Sequence, residues 1–204
     1  MKAIFLGVIL FLVGSVIWGL LNLGVFKSVS FQTSPDNVTT RYELLAVSKN
    51  GAYHEINDTL IALEKWAAEK QINCNETFGL FYDNPDVVEQ QRLRADVGCV
   101  IPTEDVAKLN EINLSTEKIL EKDSLKRLTV TSSKVLIANF SGSPWLGPYK
   151  VYGQAQQRFH DMGAAFQFPV LEIYKTKEAV PHTEYVFFIL APEVTGHPEE
   201  LQNK

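Results

Sequence analysis

The stretch Pro169-Val-Leu-Glu-Ile-Tyr174 reads as a short central strand with one acid set among apolar residues. Strand side chains alternate between faces, so Val170, Glu172 and Tyr174 share one side while Leu171 and Ile173 share the other. Leu171 and Ile173 suit a face covered by helices, which sends Glu172 and Tyr174 to the opposite side. A carboxylate in an apolar surrounding is costly unless it meets a partner or a cation, and burial raises its pKa. With aromatic rings around it, such a charge suits a cationic or hydrogen-bonding ligand.

Working outward, Trp145–Met162 sets Val151, Ala155, Phe159 and Met162 at helical spacing. Lys134–Phe140 before it reads as a strand ending at Gly142, and Glu184–Leu190 as another ending before Pro192. The same order occurs roughly ninety residues earlier. Tyr42–Val47 is a strand broken at Asn50-Gly51, and Tyr53–Lys70 is a helix with Ile56, Leu60, Leu63 and Ala67 on one side. Thr77–Tyr82 is a strand stopped by Asp83-Asn-Pro85, and Leu93–Ile101 is a strand ending at Pro102. Gly51 matches Gly142 and Tyr82 matches Tyr174, so the chain carries an internal duplication. Between the halves, Thr103–Arg127 is a charged connector, weakly helical over Glu104–Asn110. The expected fold is α+β: two strand–helix–strand–strand units joined into one curved antiparallel sheet, with both helices on one face. Clefts where such halves meet are the usual ligand sites.

The N-terminus carries a separate signal. Ala3–Phe26 contains no charge and is closed by Lys27. About 24 helical residues rise roughly 36 Å, enough for the ~30 Å hydrocarbon core. The run is longer than a signal-peptide core and ends on bulky residues, so residues 1–27 are expected to form an uncleaved, single-pass membrane anchor. Residues 28–40 follow as a polar tether, 41–192 as the domain and 193–204 as a C-terminal tail. Lys2 and Lys27 lie on opposite sides of the run, so charge leaves the side of the soluble domain open.

Composition narrows the function. A net charge of -5 with scattered Lys and Arg argues against a nucleic-acid partner. The dispersed residues His54, His160, His182 and His197 offer no metal site, and no cofactor motif is present. Cys74 and Cys99 lack metal-ligand spacing. They read as two small buried residues, with a disulfide the alternative in an oxidising compartment. Asn37, Asn57, Asn75, Asn113 and Asn139 open Asn-x-Ser/Thr triplets of little weight, Asn139 being mid-strand. Arg94 and Asp96 share a strand face and are expected to pair with each other. The candidate ligand-binding set is Glu172, Tyr174, Tyr82, Trp145 and Tyr149, with Phe81 nearby.

The segments Gly51-Ala-Tyr53, Gly79-Leu-Phe-Tyr-Asp-Asn-Pro85, Arg94-Ala-Asp-Val-Gly98 and Leu171-Glu-Ile-Tyr174 resemble the GyrI-like small-molecule-binding domain family over roughly Arg41–Pro192. Behind an apolar N-terminus they look most like membrane-anchored members akin to the testis-expressed ER-phagy receptor. The resemblance implies a ligand cleft between the halves, with the family's cleft glutamate falling on Glu172. No DNA-binding helix-turn-helix precedes the domain, and no autophagy motif is carried over. The leading expectation is a membrane-anchored, non-enzymatic module that binds a small amphipathic or cationic ligand. The alternatives are a hydrolase of electrophilic compounds that uses Glu172, and an adaptor whose cleft is vestigial and whose exposed faces bind a protein partner.

Overall fold

Alternating apolar residues and Gly/Pro punctuation place the strands and helices of both units close to expectation. A computed structural model describes residues 2–36, 38–120, 124–177 and 180–196, with side chains omitted at 2–4 and 6. The first unit is β2 (Thr40–Asn50), α2 (Asn57–Glu69), β3 (Thr77–Phe81) and β4 (Arg94–Val100). The second is β6 (Val135–Ser141), α4 (Gly147–Asp161), β7 (Val170–Lys175) and β8 (His182–Phe188). The short α3 (Val106–Asn110) lies in the connector.

Three further strands escape the sequence reading. β1 (Ser30–Thr33) lies in the expected tether, β5 (Leu125–Ser132) at the end of the connector, and β9 (Glu193–Thr195) in the expected tail. β1 pairs with β6, β5 with β2, and β9 with β5, all antiparallel. Residues 30–33 and 40 of the expected tether are therefore part of the sheet, because backbone N–H and C=O groups along the outer edges of β6 and β2 need partners. The rest of the tail, 197–204, and Asn37 lie outside the described residues.

The nine strands among the described residues form one antiparallel sheet in the order β1-β6-β8-β7-β3-β4-β2-β5-β9. The two units meet where β3 pairs with β7, Gly79 standing opposite Glu172. Consecutive β5 and β6 lie near opposite ends of this order, yet only residues 133–134 separate them. Three backbone steps span at most ~11 Å, so the sheet must curl until its ends meet. Tyr42 on β2 accordingly donates to Glu184 on β8 at 3.4 Å, across three intervening strands.

Curling gives the sheet two different faces. The inner face is filled by Leu44, Phe78, Leu128, Leu171, Ile173 and Val186. The outer face carries both helices. α2 packs Leu63, Trp66 and Ala67 on Leu45 and Val47, and α4 packs Val151, Ala155 and Phe159 on Leu136, Phe140 and Tyr185. Ladder pairing runs Val47–Val97–Gly79–Glu172–Tyr185–Ala138 along one row of this outer face. Glu172 thus sits on the helix side, and Leu171 and Ile173 face the inner core. This reverses the expected assignment. The helix-free concavity expected to hold the ligand is packed with side chains.

Cys74 and Cys99 are joined as a disulfide, both buried under α2, rather than standing as separate small residues. α1 (Lys2–Leu23) leaves most of its described side chains exposed. Among the described residues no helix is long and apolar enough to cross a membrane. The expected transmembrane span is therefore not borne out by these residues.

A filled inner face makes a quantitative demand on β5. Leu128 is fully buried there, so Leu128→Ala should cost about 2–5 kcal/mol in urea unfolding. A loss below about 0.5 kcal/mol, ordinary for a surface site, would show that β5 does not close the core.

Candidate functional site

Glu172 is the acid at the centre of the outer face, only 4% exposed. Both carboxylate oxygens are engaged. Tyr152 of α4 donates to Oε1 at 2.7 Å, and Tyr174, two residues along β7 on the same side, donates to Oε2 at 3.0 Å. Burial pushes Glu172 up to about 7, although the two phenol donors pull the other way. Burial, and next the Glu172 charge, push Tyr152 and Tyr174 well above the ordinary phenol range. These phenols stay protonated at neutral pH, which leaves them as donors to the acid.

Aromatic rings close the surroundings. Tyr152 lies 5.6 Å from Phe187, 6.1 Å from Phe166 and Tyr185, and 6.4 Å from Phe168 between centroids. Phe168 also packs against the cluster of Phe81, Ala95 and Val97, which Tyr53, Ile56 and Leu60 cover from the α2 side, so it stands between the surroundings of the two helices. Phe166 and Phe168 are only half-buried and belong to the segment joining α4 to β7. Tyr185 lies directly opposite Glu172 on β8. Its hydroxyl, like that of Thr183 close by, is buried without a well-formed hydrogen bond. Gly147 at the start of α4 makes this possible, because a Cβ there would stand 1.8 Å from the Tyr185 oxygen.

The structure unites part of the expected set and disperses the rest. Glu172 and Tyr174 are together, with Phe81 on the same face. Tyr82 points to the inner face and donates to Asp96 at 2.6 Å, so it does not match Tyr174. Trp145 and Tyr149 are 70% and 88% exposed at the opening of α4 and lie on the protein's exterior. Tyr152, Tyr185, Phe166 and Phe168 were missed. Tyr152, Ala155 and Phe159 stand at 3-4 spacing, and Tyr185 and Phe187 alternate, so a signal existed, but it is the ordinary signal of a core.

Other polar residues hold the frame. Arg94 does not pair with Asp96. It grips Asp83 through Nε at 3.0 Å and Nη2 at 2.7 Å, while Tyr53 donates to the Asp83 carbonyl at 2.9 Å. Asp96, nearly fully buried, meets Lys126 at 2.6 Å and accepts from Ser48 at 2.8 Å. The tyrosine, aspartate and arginine of the family-like segments thus clasp the turn after β3. Among the described residues no group of His, Cys, Asp and Glu could hold a metal ion. A hollow of about 440 Å³ lies away from Glu172, beside Cys74, where Lys108 is paired with Asp105 and Lys177 donates to the Cys74 carbonyl.

A duplicated sheet that carries one buried acid in an aromatic enclosure under paired helices defines the class, a small-molecule-binding domain. Residues 39–192 match the GyrI-like small molecule binding domain family, and the chain belongs to it. It is 31% identical over 67 residues to DNA gyrase inhibitor 2 of Dickeya dadantii (strain 3937), covering 33% of this chain and 43% of that protein. It is 29% identical over 113 residues to DNA gyrase inhibitor of Citrobacter rodentium (strain ICC168), covering 55% and 65%. The matches thus span less than two thirds of these relatives. Among solved structures, the crystal structure of the EcmrR C-terminal domain is 12% identical with a TM-score of 0.47, covering 81% of this chain and 97% of that one. The cryo-EM structure of the EcmrR–DNA complex is 14% identical with a TM-score of 0.47, covering 85% and 63%.

The raised pKa of Glu172 has a signed consequence. Its unfolded value is near 4.5 and its folded value about 7, so the folded chain holds an extra proton between them. Stability should therefore fall as pH rises through that window, by up to about 3 kcal/mol. Glu172→Gln cannot ionise, so in urea unfolding it should gain on the wild type by that order between about pH 5 and pH 8. A stability difference that does not change with pH would contradict the buried, shifted acid.

Proposed function

We propose that the domain binds a small, apolar or amphipathic cation beside Glu172, on the helix side of the sheet where the units meet. The observation that carries this reading is a buried carboxylate whose only hydrogen-bond partners among the described residues are two tyrosine hydroxyls. An acid held without a cationic partner carries a desolvation cost that a bound cation would offset, and the rings of Tyr152, Phe168 and Phe187 supply π-faces for it. Entry requires the half-buried Phe166 and Phe168 to swing out, which turns the α4–β7 segment into the movable wall of the site. The proposal is non-enzymatic: the acid selects charge and the rings select shape.

A pKa near neutrality also suits a general base, which favours hydrolysis of an electrophile as the second reading. In that case Glu172→Gln would abolish turnover rather than only binding.

We further propose that α1 seats the chain in a membrane by its N-terminus. The support is the chargeless run Ala3–Phe26, together with the likeness of the Tyr82–Pro85 and Leu171–Tyr174 segments to membrane-anchored members of the family.

Titration with tetraphenylphosphonium, followed by thermal unfolding and calorimetry, tests the ligand class. At about 100 times its dissociation constant a ligand stabilises by about 2.7 kcal/mol. That rise should appear in the wild type and vanish in Glu172→Gln. Equal stabilisation of both proteins would remove Glu172 from the site, and none in either would refute the cation reading.

A further inference from the structure

The exposed aromatic residues at the mouth of α4 lie where the chain leaves α1. The Leu23 carbonyl accepts from the Ser143 backbone N–H at 3.0 Å. Gly24, at φ +81°, approaches Gly142 so closely that a Cβ would stand 2.8 Å from the Gly142 Cα. Lys150 Nζ donates to the carbonyl of Val25 and, at 3.3 Å, to that of Lys27. The end of α1 is therefore fastened to the β6–α4 corner rather than leading into a slack linker.

Trp145 and Tyr149 flank this fastening, two residues beyond Ser143 and one before Lys150. They are 70% and 88% exposed, and Phe26 on the other side of the junction is 68% exposed. Four residues apart about the opening of α4, the two rings have neither core nor groove to fill. Lys27 and Lys150 stand among them. The same corner holds the end of α1, whose side chains Phe11, Leu12, Val16, Trp18 and Leu21 are also exposed. Tryptophan and tyrosine beside lysine, at the end of an apolar helix, are the chemistry of the headgroup level of a bilayer.

We propose that Trp145, Tyr149 and Phe26 form an interfacial foot that holds the domain directly against the lipid headgroups. This rests on the membrane reading of α1. A domain so seated has a fixed tilt to the bilayer, and the α4 side of the Glu172 site is kept close to the lipid surface. An amphipathic ligand partitioned among the headgroups would then reach the domain without crossing bulk water.

The test uses the full-length chain in vesicles of phosphatidylcholine and phosphatidylglycerol, brominated either near the headgroup or midway along the acyl chains. Tryptophan emission is quenched by contact with bromine. Trp18 lies about 8 Å further along the α1 axis than Leu23, and Trp66 of α2 is buried against the sheet as an internal control. Comparing wild type with Trp145→Phe and with Trp18→Phe isolates each contribution. Trp145 emission should be largely lost with bromine near the headgroup and spared with bromine at mid-chain, and Trp18 should show the opposite order. If Trp18 is quenched while Trp145 is untouched by either lipid, the foot is refuted and the anchor stands. If neither is quenched, the membrane reading falls and the foot falls with it. A Trp145 response that follows protein density rather than bromine position marks contact with a second copy, and it too overturns the proposal.

Discussion

The antiparallel pairing of β3 with β7 is the constraint on which the rest of the molecule depends. It joins two units that each lack a full set of backbone partners, and it brings Gly79 and Glu172 face to face at the join. From that seam the sheet curls, and the β5–β6 link draws its ends together so that the apolar side chains of the inner face pack on one another. The inner face keeps its buried acid, Asp96, paired with Lys126, whereas the outer face under the helices holds an acid with no cation beside it among the described residues. Glu172 stands at its centre, with Tyr152 reaching down from α4 and Tyr174 lying beside it.

Much of this plan is legible in the residues. Turns at Asn50-Gly51 and Asp83-Asn-Pro85, helical spacing over Leu60–Ala67 and Val151–Phe159, and alternation along β7 and β8 give both units and their repetition. β1, β5 and β9 were harder to see. β1 has one half-buried Phe31 among polar neighbours, β9 is only three residues long, and β5 hides Leu128 and Val130 between Lys, Arg and Thr. Strands that add to an existing edge need few apolar residues of their own, so composition marks them weakly.

The side on which Glu172 points could not be read from β7 alone. Leu171 and Ile173 would suit a helix-covered face, but a sheet that curls on itself buries its other face equally well. Alternation says which residues share a side, not which side meets the helices. That choice is settled by long-range geometry, through the two-residue β5–β6 link. The same limit explains Trp145 and Tyr149, whose helix position was readable but whose orientation was not. It also explains Cys74 and Cys99, which are brought together by the loop before β3 folding against β4 rather than by their spacing in the chain.

The strands that lead into the two units are traded between them. β1 leads into the first unit but pairs with β6 of the second, and β5 leads into the second but pairs with β2 of the first. Neither half can be lifted away without stripping the other of a strand. The two halves are locked by this reciprocal exchange of an arm, the geometry of a strand-swapped dimer held within one chain. Such a dimer must carry the same side chain at both equivalent positions of its seam. A single chain is free of that requirement: glycine stands on one side of the seam and an acid on the other, so the molecule holds a single off-axis charge where a symmetric dimer would hold two.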